Sequence, residues 1–164
     1  MALLDEAASH MAIVTLPCPG GHFPSIGQRR PPAIRLERTV RDLFGLEPQK
    51  IPDMRPWLDH GRWGLRHPLG APTPAVDVAP YAFLPAEGES LHQIAVGPVH
   101  AGIIEPGHFR FHANGEVIVR LEARLGYTHK GVESLMQEAD LTRAAKLAGR
   151  VSGDSTVAYA IAFA

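Results

Sequence analysis

The stretch Gly107-His108-Phe109-Arg110-Phe111-His112-Ala113-Asn114-Gly115-Glu116, continuing from Val117 to Leu125, decides the fold class of this chain. Residues 107–113 alternate, so Phe109, Phe111 and Ala113 are expected on one face and His108, Arg110 and His112 on the other. Asn114-Gly115 follows, and both residues tolerate the positive φ that a two-residue hairpin turn requires. The alternation then resumes, with Val117, Val119, Leu121, Ala123 and Leu125 expected inward and Arg120, Glu122 and Arg124 outward. The pattern predicts a two-stranded hairpin.

Upstream, Gln93-Ile94-Ala95-Val96-Gly97 reads as a short strand. Downstream of Gly131 the apolar period becomes helical through Val132, Leu135 and Met136. Asp140 is then a fitting N-cap for a helix carrying Leu141, Ala144, Ala145, Leu147 and Ala148. The apolar pattern runs on to Ala164, so the chain is expected to stop inside a helix, which suggests truncation. Before the strands, Pro68, Pro72, Pro74, Pro80 and Pro85 stiffen a stretch with no helical or alternating period. Residues 70–91 therefore read as a linker between two modules, 1–69 and 92–164, in an α+β chain.

In the first module, Ala12-Ile13-Val14-Thr15-Leu16 is a β-branched run ended by Pro17, Pro19 and Gly20-Gly21, a strand followed by a loop. Pro31-Pro32 and Gly45 bracket a helix whose apolar face is expected to carry Ile34, Val40, Leu43 and Phe44, with Leu36 at its margin. On the other side, Glu37 with Arg41 and Arg38 with Asp42 are spaced as i,i+4 ion pairs, which reads from pattern alone as a solvated charged face.

The chain is 45% hydrophobic and 20% charged, ordinary for a folded protein, and its net charge of −1 leaves no electrostatic footprint for nucleic acid. No apolar run approaches the ~20 residues that span a bilayer, and Met1 to Glu6 lacks a secretory signal. With Cys18 as the only cysteine, neither an internal disulfide nor a Cys-based zinc knuckle can form, and a reducing, cytoplasmic setting is the default.

The words Glu37-Arg38-Thr39-Val40-Arg41-Asp42-Leu43-Phe44-Gly45-Leu46, Pro52-Asp53-Met54-Arg55 and His67-Pro68-Leu69 resemble the signature of the small hydrophilic C-type subunit of complex I. Phe23-Pro24-Ser25-Ile26 is similar too. Ile51 stands where that family has a histidine, and Gly70 where it has an arginine. The resemblance covers about residues 10–69, the last part of an α/β module whose earlier half is missing. It implies no cofactor and a bracing role, so Arg38, Asp42 and Asp53 are expected to be packing and docking residues.

Val96-Gly97-Pro98-Val99-His100-Ala101-Gly102, Glu105-Pro106-Gly107-His108-Phe109-Arg110, Gly126-Tyr127-Thr128-His129-Lys130-Gly131-Val132-Glu133-Ser134-Leu135 and Arg150-Val151-Ser152-Gly153-Asp154-Ser155-Thr156-Val157-Ala158-Tyr159 occur in that order. They resemble the opening of the large subunit of group 4 membrane-bound [NiFe] hydrogenases of the formate hydrogenlyase type, and of the homologous D-type subunit of complex I. A C-type module before a D-type module matches that superfamily's fusion order. The expected fold is thus a partial α/β C-type module, a linker, and the N-terminal β-hairpin plus helices of a hydrogenase-large-subunit-like domain.

In the active enzymes the fourth word is R-x-C-G-x-C-x-x-x-H, whose thiolates bind nickel and iron. Here Ser152 and Ser155 hold the cysteine positions and Tyr159 the histidine position, so the resemblance implies degenerate metal-ligand sites and no metal on this chain. Ser152 is not a hydrolytic nucleophile either, because Gly149-Arg150-Val151-Ser152-Gly153 is not G-x-S-x-G after a strand. His108 and His112 would lie roughly 13 Å apart on a strand, too far for one zinc, and read as surface or interface histidines. His100, His108 and His129 are docking or structural candidates within the matched words.

Glu105 matches a glutamate that relays protons, and is expected as a retained structural or proton-path residue rather than a catalyst. Tyr159 sits in Ala158-Tyr159-Ala160-Ile161-Ala162, similar to the segment whose tyrosine meets the quinone headgroup in complex I; a buried helix tyrosine with an ordinary hydrogen bond is the alternative. The resemblance implies an iron–sulfur cluster on a partner small subunit, antiporter-like membrane partners, room for a quinone, and a peripheral position on the cytoplasmic side of the membrane. The electron donor could be NADH, ferredoxin or formate. A scaffold paralogue without redox chemistry and an incomplete gene fragment are the rival readings.

Overall fold

The computed structural model describes residues 2–164. An antiparallel hairpin opens it, β1 (Ala2–Asp5) with β2 (His10–Ile13). The strand expected at Ala12–Leu16 thus starts earlier and stops at Ile13, because its pairing partner is Ala2–Asp5, whose strand character the sequence reading did not recognise. β3 (His22–Pro24) pairs in parallel with β4 (Glu47–Gln49), flanking helix α1 (Ile34–Phe44). Pro31–Ala33 forms a 3-10 turn leading into α1, and Gly45 ends it at φ 73°, its N–H returning to the Arg41 carbonyl at 2.9 Å.

The helix itself is where the sequence places it, and Leu43 of the expected apolar face is buried, but the charged side expected in solvent is buried as well. Glu37, Arg38 and Asp42 are 6%, 5% and 5% exposed, whereas Leu36 is 63% exposed. No hydrogen bond joins Glu37 to Arg41 or Arg38 to Asp42. Each charge instead saturates backbone of an irregular loop that has no ladder partner. Glu37 accepts from the Ile26 N–H at 2.6 Å and from Ser25 Oγ at 2.7 Å. Arg38 donates to the carbonyls of Arg55 and Pro56 at 2.6 and 2.8 Å and to Asp53 at 3.1 Å. Asp42 Oδ2 accepts from the N–H groups of Trp57, Leu58 and Asp59 at 2.9, 2.7 and 3.2 Å. Leu43 and Ile51 complete this small core, so the isoleucine in place of a histidine is a buried packing residue. Gly70 lies so close to the end of α1 that a Cβ there would collide with the Phe44 carbonyl, which explains why no side chain occupies that position.

β5 (Leu65–Arg66) and β6 (Thr73–Pro74) form a short antiparallel pair, and residues 75–90 run on without helix or strand. A three-stranded antiparallel sheet follows: β7 (Leu91–Val96), β8 (His108–Asn114) and β9 (Val117–Arg124), in that order. The hairpin forms, with Phe111 opposite Leu121 and His112 opposite Arg120, but its turn is Gly115-Glu116, because Asn114 stays in the ladder opposite Val117, and a bulge between His112 and Ala113 breaks the alternation. Ala113 is buried as expected, but the polar side expected to face outward is covered as well. His112 is 1% exposed and Glu122 is buried, whereas Val117, Val119 and Leu121 are mostly exposed. His112 is therefore no surface residue.

The covering element is the 81–85 segment, whose backbone has no ladder of its own. The Leu84 N–H donates to Glu122 at 3.2 Å, and Arg120 donates to the Pro85 carbonyl at 2.5 Å. The Phe83 ring stacks on the Arg110 guanidinium and lies 5.2 Å from the His108 ring. Period-two alternation shows that two faces differ; it does not show which one is covered.

Helices α2 (Val132–Gln137), α3 (Leu141–Ala148) and α4 (Thr156–Phe163) complete the chain. Asp140 caps α3 as expected, accepting from the Arg143 N–H at 2.7 Å. The helical run toward Ala164 is interrupted: α3 ends at Gly149, and a 3-10 turn at Gly153–Ser155 starts α4.

Removing the Asp42 carboxylate strands three backbone donors at once. Asp42→Ala is therefore expected to lower unfolding free energy by about 3 kcal/mol. Leu36→Ala, on the exposed side, should change it by less than about 0.5 kcal/mol. Urea unfolding of both variants measures the contrast.

A pH effect follows from Asp53 and Glu122. Burial works against their ionisation, but hydrogen bonds from Arg55 outweigh it and hold both carboxyls below the usual carboxylate range. Groups depressed on folding stabilise fully above their unfolded pKa, and that contribution is lost as pH falls through the folded value. Stability should thus fall on acidification through the carboxylate range, and Glu122→Gln should flatten the slope in urea titrations repeated across pH.

Candidate functional site

Three connecting segments converge where the matched words lie: the 98–107 loop before β8, the 125–131 loop after β9, and the 149–155 turn between α3 and α4. Lys130 on the second loop has three ammonium hydrogens and meets three acceptors. They are Glu105 Oε1 at 2.5 Å, the Val151 carbonyl at 3.1 Å and the Arg150 carbonyl at 3.4 Å. Ser152 Oγ lies 3.2 Å from Glu105 Oε2 and closer still to Asp154 Oδ1. A hydroxyl has one proton, so Asp154 and Glu105 compete for it. The structure thus brings together two residues singled out from sequence, Glu105 and Ser152, and adds one that was not, Lys130.

The Lys130 ammonium holds the Glu105 carboxyl below its ordinary range, helped by its own backbone N–H and by Ser152. The pair is partly exposed, so it orders the loops more than it stabilises the fold. Next to it, His129 stacks on Trp63 at 4.6 Å between centroids and faces Glu133 across 3.6 Å, which lowers the Glu133 pKa. A cleft of about 230 Å³ between these side chains is lined by Glu105, His129, Lys130, Glu133, Met136 and Val151.

The other singled-out residues lie apart. Ser155 joins Ser152 only through its backbone N–H, at 3.2 Å, inside the turn. Tyr159 on α4 is 42% exposed, and no hydrogen bond links it to the cluster among the described residues. The helix that carries it is apolar all round and exposed among the described residues. His100 packs 6.1 Å from Phe109, and His108 lies under Phe83. Arg38, Asp42 and Asp53 form the separate network beneath α1. Among the described residues, no three His, Cys, Asp or Glu side chains group as a metal-ligand set.

Residues 2–77 match the family of the respiratory-chain NADH dehydrogenase 30 kDa subunit. The chain is also 35% identical over 151 residues to hydrogenase-4 component G of Escherichia coli, an alignment covering 86% of this chain and 27% of that protein. It is 33% identical over 152 residues to formate hydrogenlyase subunit 5 of the same organism, with the same coverage. Carbon monoxide-induced hydrogenase of Rhodospirillum rubrum aligns at 34% identity over 62 residues, 38% of this chain and 17% of that protein. The chain therefore spans about a quarter of the length of the first two relatives. Together these matches support membership of the complex I and group 4 hydrogenase superfamily.

Because Lys130 is the largest cause of the low Glu105 pKa, Lys130→Met should let Glu105 titrate at a higher pH, nearer an ordinary glutamate. Carboxyl-detected NMR titration of both proteins reads this directly, and Lys130→Arg should keep most of the depression.

Proposed function

We propose that this chain is part of a subunit of a membrane-associated, NADH:quinone-oxidoreductase-like or hydrogenase-related electron-transfer complex, and that it carries no [NiFe] site of its own. The observation behind this reading is the similarity to hydrogenase-4 component G and formate hydrogenlyase subunit 5 along 86% of the chain, combined with serine at both ligand positions of its fourth word. Its role is coupling, quinone-site support or bracing within the complex.

The donor set does not fit a nickel–iron centre. Ser152 Oγ is a hydroxyl whose proton is engaged by carboxylates of Asp154 and Glu105, and Ser155 is likewise a hard, weakly acidic alcohol. Soft thiolates are what that metal pair requires. The only sulfur nucleophile, Cys18, sits in the loop after β2 with its thiol turned to the Leu16 carbonyl. No step of a reaction is therefore assigned to a metal here.

Partners are favoured by the exposed apolar surface. Val119 and Leu121 on the sheet, and Val157 and Ile161 on α4, stand in solvent, a pattern that marks faces covered in assemblies. An iron–sulfur small subunit and membrane subunits are the partners in this reading, which places the chain peripherally on the cytoplasmic side. No helix among the described residues is long and apolar enough to cross a membrane. A non-catalytic scaffold paralogue is the second reading, favoured by the serines at both matched ligand positions.

Metal analysis of the purified complex tests the first reading. It should contain iron from the partner's cluster and no stoichiometric nickel bound through this chain; such nickel would contradict it. Quinone-analogue labelling that is lost in Tyr159→Phe would favour the coupling role, and labelling indifferent to that change would remove the tyrosine from a quinone site.

A further inference from the structure

Two segments distant in sequence meet along one seam, residues 53–63 against residues 122–129. Arg55 Nη1 donates to Glu122 Oε1 at 2.6 Å. Further along, the Leu58 carbonyl lies against Gly126, where φ is +76° and any Cβ would collide with it. Trp63 then stacks on His129 at 4.6 Å. The contacts run in the same order along both segments, as in a strap laid beside a strand end.

Each side of the seam is built before the two meet. Asp53 grips Arg55 through Nε at 3.0 Å and Nη2 at 2.8 Å, and Arg38 on α1 holds Asp53 at 3.1 Å. The guanidinium is thus fixed with Nη1 turned toward Glu122 and the Ala82 carbonyl, the latter at 3.1 Å, so little side-chain entropy is lost on meeting them. Glu122 is held on its side by the Leu84 N–H and by His112 Nε2 at 3.2 Å, with its side chain 5% exposed. A buried carboxylate facing a pre-oriented cation gives charge complementarity at the centre of the seam, and Gly126 supplies the steric fit.

We propose that residues 53–63 form a docking element in their own right, which recognises the 122–129 strand end, together with the 78–82 segment packed beside it, as it would a separate chain, whether or not the backbone is continuous at Val76. Arg55 and Gly126 are its specificity-determining residues. The partner it fits is a β-hairpin that carries a buried carboxylate and, four residues on, a glycine. This concerns only segments of this chain and does not rest on the proposed function.

The experiment uses the full chain with a specific protease site inserted at the exposed Val76, cut after folding and followed by native gel filtration. The two fragments should co-elute; separation of the wild-type fragments would overturn the proposal. Arg55→Met and Gly126→Val should each weaken association by at least about tenfold. Arg120→Met also loses a contact to Glu122 but lies wholly on the second fragment, and should leave them together. If Arg55→Met does not fold, the isosteric Glu122→Gln is read instead, and unchanged association there would equally overturn the assignment.

Discussion

Charge inside helix α1 organises the first half of this chain. Burying a carboxylate or guanidinium costs several kcal/mol unless its partners are complete. Here they are complete because the neighbouring loops have backbone groups and no ladder to spend them on. Asp42 gathers three successive N–H groups of the 57–59 segment, and Arg38 gathers two carbonyls just before it. The loop is consequently as fixed as a strand would be, and it presents Arg55 to Glu122. The same logic recurs on the sheet, where Glu122, His112 and Arg120 serve the irregular 81–85 segment. In both places polar side chains are the interior and some of the apolar ones face outward.

This explains which parts of the structure were legible in the sequence. Helix α1, the hairpin of β8 and β9, the Asp140 cap and the irregular proline-rich stretch are local events, set by φ preferences, periodicity and capping, and they fall where the residues place them, with the hairpin turn one residue later at Gly115-Glu116. The orientation of faces is not local. Alternation in 108–125 and the helical spacing in 34–44 separate polar from apolar residues, yet which side is covered depends on segments 15 or more positions away, such as 53–59 and 81–85. The hairpin of Ala2–Asp5 with His10–Ile13 escaped because its strands are short and lack a turn signal of the Asn-Gly kind.

The candidate site was half legible. Glu105 and Ser152 were singled out by the words they belong to, and the chain brings them within hydrogen-bonding distance. Lys130 stood in one of those words without any pattern to separate it from a surface lysine; only the meeting of three loops gives its ammonium three acceptors. The cluster keeps the geometry of a charged, ordered turn, with oxygen donors around a resident lysine cation.

If buried charge holds the 53–59 segment, its amides must behave as core amides although they belong to no helix or strand. Amide hydrogen exchange at Trp57, Leu58 and Asp59 measures this directly. Exchange slowed to the level of the α1 amides is the expected result. Exchange at the rate of an open loop would mean that Asp42 does not hold them and that the interior is organised in some other way.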